Sequence, residues 1–184
     1  MNLTEAFGML EGRAVNLRVL EQEDYPLLRE WFNRPDVFGR FNPLHQVTLD
    51  EIGKIFASPH EMRLSIVEDK EGRKLGFIGH FYVLHPACKQ LELSYTLIPS
   101  ERGKGYGTEA LGMMLDFLFL TKDVVRIQAQ TDPRNLASQK VLEKTGFKRE
   151  GVLRKAFFIR GGWTDSWIYS ILREEWGGPR FLRD

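Results

Sequence analysis

The chain has almost no charge bias: 26 Lys and Arg stand against 25 Asp and Glu, a formal net charge of +1 over 184 residues. So even a balance provides no basic field for nucleic acid and no strong attraction to an anionic membrane. One cysteine, Cys88, excludes an internal disulfide framework. No stretch approaches the ~20 apolar residues that a membrane span needs. The first residues show no basic region leading into an apolar run, so no signal peptide is expected, and a cytoplasmic location follows. His45, His60, His80 and His85 fall at no metal-ligand spacing, and no Cys/His cluster accompanies them, so no metal is expected. Internal repeats, low-complexity segments and linkers are missing too. What is present is ordinary for a globular protein, 42% hydrophobic and 28% charged. Residues 1–184 read as a single domain, long enough to bury a core.

Hydrophobic periodicity orders the elements. Ala14 to Val19 alternates as a strand. Asp24 to Phe32 has near-helical spacing, and Asn33-Arg34-Pro35-Asp36 stops it. Thr48-Leu49-Asp50-Glu51 is a capping box opening a second helix that ends before Pro59. Strands at Arg63–Glu68, Lys74–Leu84 and Leu91–Ile98 follow, joined by short turns at Gly72 and Pro86–Lys89, which predicts an antiparallel meander. A helix over Thr108–Phe119 leads to a strand at Val124–Gln130 and then a helix from Leu136 closed by Gly146. The end is a hairpin, Phe147–Arg160 and Asp165–Leu172, turning at Gly161-Gly162. Only the strands at Leu91 and Val124 are joined through a crossover helix, so only they should run parallel. The expectation is a mixed sheet of α+β class.

Arg102-Gly103-Lys104-Gly105-Tyr106-Gly107-Thr108 is the most informative segment. Three glycines at alternate positions lie between a strand and a helix, the order of a pyrophosphate cradle. Free amides at the helix start face the anion, and Arg102 and Lys104 add cationic donors. Three cofactor loops compete for it. A Walker A loop is met in no register. Gly105 to Ala110 reads G-x-G-x-x-A, with Asp132 after the next apolar run, as in a dinucleotide fold. Arg102, Gly105 and Gly107 satisfy [Arg/Gln]-x-x-Gly-x-[Gly/Ala]. The dinucleotide reading needs repeated β-α-β units, yet its fingerprint arrives after residue 100, behind a meander.

The third pattern resembles the acetyl-CoA loop of the GNAT N-acetyltransferases. Downstream, Thr131 to Phe147 is similar to the ribosomal-protein N-terminal acetyltransferase (Rim-type) branch. Asn135-x-x-Ser138 matches its helix start, and Leu142-Glu143-Lys144-x-Gly146-Phe147 its helix end. Leu172-Arg173-Glu174-Glu175-Trp176 also has the branch's look. The resemblance spans roughly Gly12 to Trp176. It implies the GNAT acyl-CoA N-acyltransferase fold, an antiparallel meander joined to a β-α-β core with a C-terminal hairpin. It implies acetyl-CoA as co-substrate, its pyrophosphate on the backbone of Gly103, Lys104, Gly105, Tyr106, Gly107 and Thr108, beside Arg102. It further implies that β-strands splay near Ile98. There, backbone groups of Tyr95, Thr96, Leu97 and Ile98 would hold the pantetheine arm and the thioester carbonyl.

The reaction so implied moves an acetyl group to a primary amine. It needs a base for the amine, donors for the developing oxyanion and an acid for the leaving thiolate. Period-two geometry puts Glu92 with Ser94, Thr96 and Ile98 on one face, and Leu91, Leu93, Tyr95 and Leu97 on the other. Family members often carry the base on this strand, which points to Glu92, acting directly or through water; a solvated or structurally bonded Glu92 is the alternative. Ser138 stands where many relatives have a tyrosine acid, against the alternative of an ordinary first-turn serine. Asn135 caps a helix and could also touch the pantetheine arm. Cys88 reads as structural rather than an acetyl carrier. Trp31, Phe38 and Phe41 read as core or helix-packing residues, His80 as a possible pocket residue, and Trp163 as an exposed aromatic that meets a partner. The Rim-type likeness implies a protein or peptide α-amine as acceptor, to a monomer or homodimer. A small amine, polyamine or antibiotic, and a non-catalytic acyl-CoA sensor, are the alternatives.

Overall fold

The computed structural model describes residues 9–57, 62–83 and 88–182. Its sheet has eight strands in the order β1-β2-β3-β4-β5-β6-β8-β7. They are β1 (Met9–Glu11), β2 (Val15–Val19), β3 (Met62–Asp69), β4 (Lys74–Tyr82), β5 (Gln90–Leu97), β6 (Arg126–Thr131), β7 (Lys148–Ile159) and β8 (Gly162–Leu172). Helices α1 (Tyr25–Phe32), α2 (Pro35–Phe38) and α3 (Leu49–Ala57) precede β3; α4 (Tyr106–Thr121) and α5 (Leu136–Lys144) flank β6. All neighbouring strands are antiparallel except β5 and β6. This is a mixed sheet of the kind the resemblance implied, a meander joined to a β-α-β core with a C-terminal hairpin.

Each face of the sheet has its own apolar cluster. Leu91, Leu93, Ile127, Ala129 and Tyr169 pack with α4 residues such as Leu111, Met114 and Leu118. Leu64, Ile66 and Phe77 pack with Leu28, Trp31, Val37 and Ile52 from α1–α3. The expected packing roles of Trp31 and Phe38 hold, with Phe77 stacked on Trp31 and Phe32 and tilted against Phe38.

Helix α4 is apolar on nearly every side, and two carboxylates fix it. Glu109 accepts from the backbone N–H groups of Arg13, Ala14 (2.8 Å) and Val15 (3.4 Å). Buried Asp116 accepts from Trp176 Nε1 and from the amides of Arg180, Phe181 and Leu182, at 2.9, 2.8, 2.7 and 3.3 Å. The C-terminal residues thereby cover the outer side of α4. At its far end Arg173 donates to the carbonyls of Phe119, Lys122 and Val124, satisfying groups a helix terminus leaves open.

Four boundaries differ from expectation. Strand β1, unmarked by periodicity, pairs with β2 as a short hairpin. Pro35 stops α1 but also starts α2, because proline suits a first helical position and holds Arg34 extended. Helix α4 begins at Tyr106, inside the glycine segment. The final hairpin turns at Arg160-Gly161, both with positive φ (50° and 86°), so Gly162 already pairs with Ile159. Of the expected features, Pro59, His60, Leu84, His85 and Pro86 lie outside the described residues. Among the described residues no helix is long and apolar enough to cross a membrane.

Candidate active site

Strands β5 and β6 part company at the middle of the sheet. Their parallel pairing runs only from Gln90↔Arg126 to Glu92↔Gln128. Beyond that, β5 stays with β4 as far as Leu97, and β6 stays with β8 as far as Thr131. The expected splay is therefore present, and its amides can be sorted. Ile98 N–H donates to the Leu75 carbonyl at 2.9 Å, towards β4. Alternation turns Thr96 the same way and leaves the N–H groups of Tyr95 and Leu97 facing the gap. The four expected backbone donors reduce to two, because the β4 ladder engages Thr96 and Ile98.

The glycine segment follows through a 3-10 turn at Pro99–Glu101. Gly103 and Gly105 have φ of 76° and 90°, a backbone shape that side chains resist, and a β-carbon at either would meet nothing within 4 Å. Among the described residues, nothing accepts from the amides of Gly103, Lys104, Gly105, Tyr106 and Gly107. Five free donors at the start of a 16-residue helix, with open space beyond them, suit a pyrophosphate. The Thr108 amide is not among them, since it donates to the Gly105 carbonyl at 3.0 Å. Nor are the two cations idle. Arg102 donates to the carbonyls of Leu97 (3.0 Å), Asp36 (3.2 Å) and Val37, tying α2 to the end of β5. Lys104 pairs with Glu101 at 3.0 Å. Both side chains thus have partners within the protein, while the backbone amides of residues 103–107 are left open.

Ser138 and Tyr95 meet beneath this loop. Asn135 caps α5 by accepting from the Ser138 amide at 3.2 Å, which fixes the first turn. Ser138 Oγ then lies 3.0 Å from Tyr95 Oη. Burial pushes the phenol up to about 12, so Tyr95 keeps its proton at neutral pH. In the sequence Tyr95 stands out for its backbone only. Its side chain was unreadable because 43 residues separate the two hydroxyls.

Glu92 sits on the opposite face of the sheet, where Gln128 Nε2 donates to it at 2.8 Å and Gln130 Nε2 at 3.2–3.3 Å. Gln128 accepts in turn from Arg126, which makes two 2.6 Å bonds to Glu150. Arg126 and the Ser170 hydroxyl hold the Glu150 carboxyl down, at about 2. Glu92 is therefore oriented by an amide whose own direction is fixed from behind.

In front of Glu92 is a cavity of about 180 Å³. Phe41, Asn42 and Pro43 line it together with Phe157, Ile159, Thr164, Asp165 and Ser166 of the final hairpin. Phe41, expected as a core or helix-packing residue, thus lines the cavity. His80 is not part of this cavity. It pairs with Leu93 on the α4 face, where burial, with Lys122 and Arg63 nearby, lowers it to about 4. Trp163 is 62% exposed at the hairpin tip, edge-on to Phe158. Asp132, the acidic residue of the dinucleotide reading, makes two short bonds to Arg134 (2.7 and 2.9 Å).

A family profile described as an acetyltransferase (GNAT) domain matches residues 14–148. The probable N-acetyltransferase YjcK of Bacillus subtilis is 30% identical, covering 91% of this chain and 98% of its own length. The ribosomal-protein-S5-alanine acetyltransferase of Vibrio fischeri superposes with a TM-score of 0.78 at 23% identity, over 91% of this chain and 98% of that one. The spermidine N-acetyltransferase of Vibrio cholerae, solved with CoA and spermine, gives 0.77 at 22% identity, over 88% and 97%. Those two structural likenesses bear on the fold alone.

Proposed function

This chain belongs to the GNAT acetyltransferases and is an acetyl-CoA-dependent N-acetyltransferase; from that premise we propose that its acceptor is the α-amine of a protein or peptide. Acetyl-CoA supplies the acetyl group as an activated thioester. The free amides of residues 103–107 suit its pyrophosphate, and those of Tyr95 and Leu97 suit its arm and carbonyl. Glu92, beside the splay and open to the cavity, takes the amine's proton directly or through water. The hydrogen-bonded Ser138 and Tyr95 hydroxyls give a proton to the departing thiolate and regain it from solvent, to which Glu92 releases the proton it took from the amine.

The charge at the cavity mouth carries the choice of amine. The guanidinium groups of Arg40 and Arg134 lie 4.8 and 5.7 Å from the Phe41 ring. Arg134 also neutralises Asp132. A polycation approaching Phe41 therefore meets the Arg40 guanidinium beside an Asp132–Arg134 pair that offers it no free carboxylate, whereas a peptide terminus brings one positive charge. The α-amine has a pKa near 8 and keeps an appreciable neutral fraction at pH 7, while a lysine amine near 10.4 does not. A polyamine is the second reading, favoured by Asp165 and Glu92 lining the same cavity. Short peptides with free N-termini, their N-blocked lysine-containing versions, and spermidine, each supplied with acetyl-CoA, decide between them. Mass spectrometry should find the acetyl group on the α-amine; preferential acetylation of lysine or spermidine refutes the reading.

A further inference from the structure

Two oxygens on the cavity wall are buried without a hydrogen-bond partner: Gln130 Oε1 and Ser166 Oγ. Ser166 is 1% exposed, and both residues line the cavity in front of Glu92. The fold explains why they are left over. A carboxylate only accepts, so Gln130 must turn its Nε2 to Glu92, and its carbonyl oxygen becomes the orphan. Gln130 pairs with Ile168 across β6 and β8, and Ser166 is two residues along β8 on the same face. Glu92, Gln130 and Ser166 therefore run from β5 through β6 to β8 along one wall. An unpartnered buried oxygen is costly, and two in one cavity mark a surface completed by something else.

Glu92 and the Gln130 oxygen can only accept hydrogen bonds. The missing occupant must therefore bring hydrogen-bond donors, and more than one; an amine acceptor brings them as N–H groups. Resting on the α-amine reading, we infer that Gln130 and Ser166 read the acceptor's backbone: Gln130 Oε1 accepts from the α-amine held at Glu92, and Ser166 Oγ accepts from the amide N–H of the acceptor's second residue. In a peptide those two nitrogens are separated only by Cα and the carbonyl carbon. In a polyamine three or four methylenes follow the terminal amine, and Ser166 stays unsatisfied. The two oxygens are thus specificity-determining residues for a peptide-like primary amine.

The test uses three tetrapeptides that differ at one group: a parent, an analogue with an ester in place of the second residue's amide N–H, and one with proline at position two. Ester and proline both remove the donor, and the ester does so without added bulk. Against the wild-type enzyme both should lose about threefold to tenfold in kcat/KM, the worth of one hydrogen bond. Ser166→Ala should cost the parent a similar factor and cost the ester analogue nothing further. Its melting temperature and acetyl-CoA affinity should stay at wild-type values, because it removes only an unpartnered oxygen. Equal wild-type kcat/KM for parent and ester overturns the inference while the α-amine reading stands. An equal loss on both substrates in Ser166→Ala overturns it too. Failure of every peptide, with spermidine accepted, removes the reading and the inference together.

Discussion

Proton traffic is a matter of single residues. Ser138 Oγ and Tyr95 Oη, 3.0 Å apart, form the one hydroxyl pair joining α5 to the splayed end of β5 among the described residues. With the phenol pushed up to about 12, the pair holds its protons at working pH and can deliver one to a thiolate. Ser138→Ala should lower kcat by roughly tenfold to a thousandfold. Tyr95→Phe keeps the ring's packing and should fall in the same range. If the hydroxyls act in series, the double variant should be no worse than the poorer single one. Steady-state kinetics with a fixed acceptor would show this, and acetyl-CoA affinity by calorimetry should hardly move. Two singles with wild-type kcat would reduce the pair to a structural contact.

The next scale is the loop and the helix it opens. Helix α4 points its free amides into open space, and Glu109, Asp116 and Arg173 anchor it along its length to the N-terminal turn, the C-terminal residues and the chain after Phe119. A helix so held offers its donors already in place, which lowers the ordering cost of binding. Gly105 is the position where that arrangement depends on one residue type. It has φ of 90° and is the N-cap of α4. Gly105→Val would force a branched side chain into that conformation and into the open space facing the ligand. Calorimetry should record the loss of most acetyl-CoA affinity, with the circular dichroism spectrum unchanged. A folded variant with wild-type affinity would remove the pyrophosphate from this loop.

At the scale of the whole molecule, buried charge sets the acid limit of stability. Asp24, its side chain 2% exposed, accepts from Arg18 at 2.8 and 3.0 Å and from Lys74 at 2.9 Å, joining the start of α1 to β2 and β4. Desolvation opposes its charge, but these partners win and lower it from 3.8 to about 2. A carboxyl depressed in the folded state stabilises above its unfolded value, and that contribution disappears as pH falls from about 4 to about 2. The shift is worth roughly 2 kcal/mol. Melting temperatures measured down this range should drop more steeply for the wild type than for Asp24→Asn. Parallel curves would mean that other carboxylates, such as Glu150 with its bidentate Arg126, set the limit.

Local chemistry was readable from the chain. Alternation marked β2 to β5, the Thr48–Glu51 box marked the start of α3, and Asn135 with Gly146 marked both ends of α5. The parallel β5–β6 pair followed from the single crossover helix, and the glycine segment fell between strand and helix as its pattern required. These features depend on neighbours a few residues apart, and the backbone answers to them directly. Contacts between distant segments were not readable. That Arg102 reaches the Asp36 and Val37 carbonyls of α2, some 65 residues away in the chain, had no sequence signal. Phe41 looked like core or helix packing until the last hairpin lined a cavity with it. The orphan oxygens of Gln130 and Ser166 exist only because three strands bring Glu92 to one side of Gln130 and leave the other side open. Spacing along the chain determined the glycine loop and the sheet; which polar atoms were left without partners, and so what the cavity can hold, was decided only when the strands closed around it.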